Sequence, residues 1–417
     1  MNLLQTSATA SAPDSPPLHG VSALPPLRLL TFSTLFPSPA RPNHGVFVEN
    51  RLRHLLAGRE ATATVLAPVP WFPVARIGGW SRPAPVAVLE QRHGIAVHHP
   101  RFLALPGIGL WSTPAMLHAT ARSWLRAQLA AGERFDLIDG HYLYPDGVVA
   151  LKLGREFGLP VVLTARGSDV SQLPAYPGPG RAIRRVIAGA DALIAVSEGL
   201  KEGLVALGAA PERVTVLRNG VDLDLFRPPA DRAAARAAHG FGDEFVLLSV
   251  GLLIERKGHD RIIAALPAMP DCRLVILGEG PERQALQAQA AALGVADRVQ
   301  MPGVQPHAAL PGWYGAADAL VLASSREGWA NVLLEAMACG TPAVASPAWG
   351  CREAIRTPAA GLVLDDREPD SIAAGIGRLR AALPDRAQTR HYAEGFGWED
   401  TTAGQLALFR QVLAARR

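Results

Sequence analysis

Residues 325–342, SREGWANVLLEAMACGTP, decide how the rest of the chain reads. They follow an apolar run at 319–323 (ALVLA), short enough for a buried strand, and pass through a polar, Gly-containing turn into a helical segment at 331–339. Asn331 or Ser325 is expected to accept from the free amides at the helix start. Gly340 is expected to close the helix in a left-handed conformation, and Thr341-Pro342 to stop it before 343–346 resumes an extended run. A strand, a loop and a helix N-terminus in that order make an anion site, because unpaired N–H groups and the positive end of the helix dipole point beyond the strand's carboxyl end.

Two carboxylates stand out in this stretch, Glu327 in the loop and Glu335 about one turn into the helix, with seven residues between them. They do not share a continuous helix face, but a loop Glu and a helix Glu can both reach a ligand lying across the helix start. The spacing suits a long ligand with hydroxyls on both sides of a phosphate. Taken alone, the pair reads equally well as a surface helix residue and a solvated loop residue.

At 417 residues the chain exceeds what one core usually supports, so two domains are expected. A composition of 49% hydrophobic and 19% charged residues describes a soluble globular protein, and no apolar run approaches the roughly 20 residues needed to span a bilayer. The first 25 residues are rich in Ser, Ala and Pro without periodicity and read as a disordered leader. They lack a basic n-region and a long apolar h-region, which argues against a secretory signal and for a cytoplasmic protein. Cys272, Cys339 and Cys351 show no CxxC spacing and read as small buried residues; neither a disulfide framework nor a metal site is expected. A net charge of +4, with arginines dispersed among nearly as many acids, excludes the dense basic stripe of a nucleic-acid binder.

Residues 28–33 (RLLTFS) read as a first buried strand and 46–59 as a helix, with Gly45 at the junction, where a glycine either eases the turn or lets the backbone approach a phosphate or sugar. A strand at 61–67 precedes an irregular region, 68–115, in which Trp71, Phe72, Trp80, Phe102 and Trp111 mix with Arg76, Arg82, Arg92 and Arg101. That mixture reads either as an acceptor groove or lipid contact, or as an insertion with its own small core. Strands at 135–139, 161–164 and 192–196 then alternate with helices at 147–157 and 180–190, the signature of a parallel sheet wrapped on both faces. In such sheets ligands bind beyond the carboxyl ends of strands, which singles out His141 past one end and Arg166, Ser168 and Asp169 past the next.

After a strand at 214–217, Asn219-Gly220 makes a turn, and a domain boundary is expected near 222. The second half repeats the alternation, with strands at 245–250, 273–277, 298–301, 319–323 and 343–345. Arg256 and Lys257 follow the first of these, just before a helix, where two cations suit a diphosphate. Gly278 and Gly280 around Glu279 follow the second.

With these stretches in order, the chain resembles the family 4 retaining glycosyltransferases of the GT-B fold. EGWANVLLEAMACGTPAVAS is similar to their E-x7-E region, and GHYLYPDG, TARGSDV, RNGVDLDLF, VGLLIERKG, LGEGPER and a final FGWED helix match in sequence order, over about 26–417. The resemblance implies two facing Rossmann-like domains: 26–222 binding the acceptor, 223–395 binding an NDP-sugar (UDP- or GDP-linked), and 396–417 crossing back. Glu335 would bind the ribose hydroxyls and Glu327 the donor sugar. Amides from Gly328 through Trp329, Ala330, Asn331 and Val332 to Leu333 would meet the sugar hydroxyls and phosphate. Arg256 and Lys257 would neutralise the diphosphate as the leaving group departs. His141 would hydrogen-bond the donor sugar, with Gly45 beside the diphosphate and Gly251 and Glu279 at neighbouring strand ends. The nucleotide sugar is a substrate, so no cofactor is implied, and no cluster of Asp residues points to a metal.

Two departures from the family pattern stand out: Leu252 occupies a position that is often Arg, and Arg166 one that is often His; Arg166, which would then meet acceptor or phosphate, is expected on the acceptor side with Ser168 and Asp169. No carboxylate nucleophile is evident, which favours front-face attack with the leaving phosphate as base. A sugar-nucleotide 2-epimerase-like isomerase and an inactive nucleotide-sugar-binding protein are the rival readings. The aromatic and basic residues of 68–115, with Arg181, Arg184 and Arg185, suggest a lipid-linked saccharide acceptor at an anionic inner membrane surface, as in exopolysaccharide or lipopolysaccharide assembly.

Overall fold

The computed structural model describes residues 25–74, 76–77, 80–81, 84–105 and 107–416. The expected leader therefore lies almost wholly outside the described residues, as do the side chains of Arg76, Trp80 and Arg82.

Two parallel sheets carry the fold. The first has eight strands in the spatial order Val214–Val216, Ala192–Ala195, Val161–Ala165, Leu137–His141, Leu27–Phe32, Ala61–Leu66, Ile95–His98 and Leu89–Arg92, of which only the last pair is antiparallel. The second has six, in the order Val299–Gly303, Cys272–Leu277, Phe245–Val250, Ala319–Leu322, Ala343–Ala345 and Gly361–Val363, all parallel. Strands such as Val161–Ala165 and Ala319–Leu322 are buried at every position, because helices cover both faces; this is why they read as unbroken apolar runs. In the second sheet the strand order reverses between Phe245–Val250 and Ala319–Leu322. The loops carrying Lys257 and Glu327 leave these two strands, so both lie at the switch point where α/β sheets form ligand crevices. In the first sheet the reversal falls between Leu27–Phe32 and Leu137–His141, which brings His141 and the loop leading to Gly45 to the equivalent place.

The last helix, Glu399–Ala414, returns to the first sheet: Leu406, Phe409 and Val412 join one buried cluster with Leu27, Leu29, Val48, Leu52 and Leu55. The two chain crossings run side by side, the Val221 amide donating to the Phe396 carbonyl at 2.9 Å.

Several expectations are corrected. The strand expected at 135–139 is displaced to Leu137–His141, because its parallel pairing with Val161–Ala165 continues to Thr164 opposite His141. His141 therefore ends the strand instead of following it. Region 68–115 is more regular than its sequence suggests: Ile95–His98 and Leu89–Arg92 extend the sheet, and a helix, Gly109–Ala130, begins inside the region. Phe72 and Phe102 are buried, whereas Trp111 is exposed. An edge strand, Gly361–Val363, went unread. All three cysteines are buried and free.

Candidate active site

The 325–342 stretch forms a loop and the helix Asn331–Ala338, followed by Gly340 at φ 76°. The helix is capped differently from the expectation. Its N-cap is Ala330, which offers no side-chain acceptor. Asn331 turns away instead, its Oδ1 accepting from Asn219 Nδ2 at 3.3 Å, and the Ser325 amide donates to the Arg256 carbonyl at 2.8 Å. An interdomain partner thus displaces the local cap, and the amides of Gly328, Trp329, Ala330, Asn331 and Val332 are left without a protein partner among the described residues. The Leu333 amide, expected with them, donates to the Ala330 carbonyl at 3.0 Å and is not available.

Glu327 and Lys257 face each other across the switch point, with Nζ to Oε1 at 2.6 Å and side chains only 9% and 15% exposed. Arg256 lies 3.8 Å from the same carboxylate oxygen and donates to the Arg326 carbonyl at 3.0 Å, bracing the loop from its outer side. Leu252, where the family often has Arg, is 59% exposed, and the Gly251 backbone packs against the Lys257 stem. Glu335 is no surface residue: its Oε2 accepts from the Tyr314 hydroxyl at 2.8 Å, and its Oε1 lies 3.9 Å from His307 Nε2. Glu279 stands apart, half exposed and paired with Arg283 at 3.1 Å.

The first sheet supplies the opposite wall. Gly328 meets it directly: a Cβ there would lie 2.4 Å from the Arg166 carbonyl oxygen and 3.0 Å from Gly167 Cα, so only glycine permits this approach. Gly45, at φ 68°, caps the helix Val46–Ala57 with its backbone pressed on the Leu35 carbonyl, where a Cβ would come within 1.8 Å; its turn geometry alone requires glycine. Ser168 Oγ bonds the Tyr142 hydroxyl at 2.6 Å. Asp169, expected on the acceptor side, is fully buried and accepts from the amides of Leu143, Arg166 and Gly167 at 3.0, 3.1 and 2.7 Å, so it organises the loop and does not face the cleft.

His141 is 1% exposed. Its Nδ1 accepts from Arg166 Nη2 at 2.7 Å, and its Nε2 lies 3.3 Å from Asp139 Oδ2. A guanidinium can only donate, so the imidazole carries its proton on Nε2. Burial lowers the pKa of His141 and nearby Arg166 lowers it further, against the pull of Asp139, so the ring is neutral. In this arrangement both ring nitrogens are engaged, and the donor-sugar contact expected of His141 is blocked by Arg166. Burial, with Arg51 nearby, brings the Arg166 pKa down to about 9.

These contacts belong to a buried ring that the sequence reading missed. Asn219 Oδ1 accepts from Arg166 Nη1 at 3.1 Å and Arg51 Nη1 at 3.4 Å. Arg51 Nε donates to Gln405 Oε1 at 2.7 Å, and Gln405 Nε2 to Asp139 Oδ2 at 3.4 Å, which closes the circuit through His141. The Asn219 carbonyl also accepts from Trp329 Nε1 at 3.0 Å. Two signals were present in the sequence: Arg51 sits on the apolar face set by Val48, Leu52 and Leu55, and Asp139 interrupts an apolar strand.

Two Rossmann-like halves whose strand-end loops meet over uncapped helix amides, a cation and two carboxylates have the architecture of the GT-B glycosyltransferases. The profile described as Glycosyltransferase Family 4 matches residues 44–225, and that described as Glycosyl transferases group 1 matches 231–396. The chain is 30% identical to the D-inositol 3-phosphate glycosyltransferase 1 of Catenulispora acidiphila, over 94% of this chain and 97% of the relative. It is 35% identical to the D-inositol 3-phosphate glycosyltransferase of Frankia alni, over 78% and 86% respectively. In fold it is similar to the sucrose-phosphate synthase of Thermosynechococcus elongatus, with TM-score 0.77 and 21% identity over 93% of this chain and all of that one. It is also similar to Anabaena Alr3699/HepE in complex with UDP and glucose, with TM-score 0.71 and 20% identity over 92% and 99%. The chain belongs to glycosyltransferase family 4, a retaining family, and is a glycosyltransferase.

Proposed function

We propose that the protein moves a sugar from a UDP- or GDP-linked donor to a saccharide acceptor, with residues 223–395 holding the donor, 26–222 the acceptor and 396–417 locking the two together. The observation that carries this reading is the set of five unpartnered amides at the start of Asn331–Ala338, flanked by Lys257, Glu327 and Glu335 at the switch point of the second sheet. Glu335 accepts from the ribose hydroxyls, and Glu327 with the amides from Gly328 to Val332 holds the sugar and phosphate. Lys257 takes the diphosphate charge as the glycosidic bond breaks, with Arg256 supporting the loop. Arg166 takes the cleft-side position expected of His141, and the leaving phosphate oxygen accepts the acceptor proton in front-face attack. The Lys257–Glu327 ion pair keeps both groups in place between turnovers.

A lipid-linked acceptor at an anionic membrane, in polysaccharide assembly, is the acceptor class we favour. Ile108, Leu110, Trp111 and Tyr176 are exposed, the Trp111 ring lies against Gly178 of the helix Pro177–Gly189, and Arg181, Arg184 and Arg185 of that helix are exposed beside them. No helix among the described residues is long and apolar enough to cross a membrane, so contact would be peripheral. The names of the relatives support a second reading, a phosphorylated cyclitol as acceptor.

The test is a thermal-shift screen of nucleotide sugars, since a ligand at 100 times its Kd stabilises by about 2.7 kcal/mol. A shift with UDP- or GDP-sugars is expected, and none with any nucleotide sugar would overturn the donor reading. Flotation with phosphatidylserine-containing vesicles separates the acceptor classes: failure to float removes the membrane reading.

A further inference from the structure

The catalytic cleft does not explain why a tyrosine hydroxyl is buried behind it. Tyr314, on the helix Leu310–Ala316, is fully buried, and its hydroxyl has one partner, Glu335 Oε2 at 2.8 Å. Its ring packs against buried Phe226, with centroids 6.0 Å apart. Its carbonyl accepts from Thr341 Oγ1 at 2.6 Å, so the tyrosine is held at both ends. A phenylalanine would fill the same volume, and a buried hydroxyl costs desolvation unless it bonds, so the hydroxyl is explained by what it does to the carboxylate. Burial, reinforced by the neighbouring carboxylate, raises the Tyr314 pKa well above its ordinary value, so the group stays a donor.

We propose that Tyr314 is a positioning residue that fixes the Glu335 carboxylate to receive a vicinal diol, the ribose 2′- and 3′-hydroxyls of the donor. This rests on Glu335 being the ribose ligand, as above. A carboxylate offers about four acceptor directions; Tyr314 occupies one on Oε2 and leaves Oε1 and the remaining direction on Oε2 for two hydroxyls. A free Glu side chain loses rotamer freedom when it is ordered, and Tyr314 removes that cost before the donor arrives. The other oxygen is not tied in the same way: His307 stands 3.9 Å from it, beyond hydrogen-bond reach, with its ring edge-on to Phe226.

The experiment compares Tyr314→Phe with the wild type by calorimetric titration with UDP and GDP, each beside its 2′,3′-dideoxy form. The wild type is expected to prefer the ribose form, and Tyr314→Phe to narrow that preference by about 5- to 10-fold, the worth of one ordinary net hydrogen bond. KM for the donor should rise with kcat unchanged, and on a Glu335→Ala background the same substitution should add nothing. A Tyr314→Phe protein that keeps the full preference, or a further loss on the Glu335→Ala background, overturns the positioning role while leaving Glu335 as ribose ligand. A wild type that binds both forms alike overturns the ribose reading and this inference with it.

Discussion

Asn219 Nδ2 donates to Asn331 Oδ1 at 3.3 Å, joining the turn that ends the first half to the first residue of the helix Asn331–Ala338. The same Asn219 accepts from Arg51 and Arg166, so one carboxamide couples the buried ring to the uncapped helix start. Asn219→Ala would remove the acceptor of Arg166 Nη1 and the longer of two bonds from Arg51 Nη1, which keeps the Leu217 carbonyl at 3.0 Å. A loss of about 2 kcal/mol is expected in urea unfolding, the desolvation cost of a donor left unpaired inside the ring. A change below about 0.5 kcal/mol, typical of a surface site, would show that the ring is not under load.

Gly328 is one of the points where the two halves touch. Its Cβ would press on backbone atoms, the Arg166 carbonyl oxygen at 2.4 Å and Gly167 Cα at 3.0 Å, so Gly328→Ala must push the loops apart. Displacement on the ångström scale is expected to cost about 100-fold in kcat/KM. Near-normal turnover would mean that catalysis does not need this approach.

His259 makes stability depend on pH. It is buried, with Nδ1 accepting from Ser249 Oγ at 3.1 Å and Nε2 donating to the Leu252 carbonyl at 3.2 Å. Burial brings its pKa from 6.5 to about 4, with Lys257 lowering it further and the Leu252 carbonyl opposing. A histidine with a depressed folded pKa contributes stability that is present above 6.5 and is lost as pH falls through the window down to about 4. The full window corresponds to roughly 3 kcal/mol. His259→Gln, which cannot take the proton, should lose less than the wild type between neutral pH and the acid end of that window. Equal losses in urea titrations would remove His259 as the cause.

Much of the fold was legible because parallel strands buried on both faces announce themselves as apolar runs: Phe245–Val250 and Ala343–Ala345 fall where the sequence places them. The gathering of Lys257, Glu327 and Glu335, on which the proposed donor site rests, was legible too, since all three lie near the 325–342 stretch or at its neighbouring strand end. The buried ring was not, because residues 51, 139, 141, 166, 219 and 405 are distant in the chain and each has a local reading: Asn219 as a turn, Arg51 as a helix residue. The same long-range chemistry defeated the expected Asn331 cap, since Asn219 offers its side chain a partner that the helix amides would otherwise supply. The helix Gly109–Ala130 escaped because it starts without a side-chain cap at Ile108 and carries Pro114 near its beginning.

The most direct test of the donor site is sugar transfer by Lys257→Ala and Glu335→Ala, assayed as nucleoside diphosphate release from the donor that the wild type uses. The Lys257 and Glu335 side chains are 15% and 14% exposed and leave from a loop and a helix outside the two sheets, so both variants should keep near-normal circular dichroism, with a melting temperature lowered by a few degrees as Glu327 and Tyr314 lose a partner. Loss of transfer in both, with folding intact, is the expected result. Retained transfer in either variant would contradict the role assigned to that residue, and retained transfer in both would contradict the site.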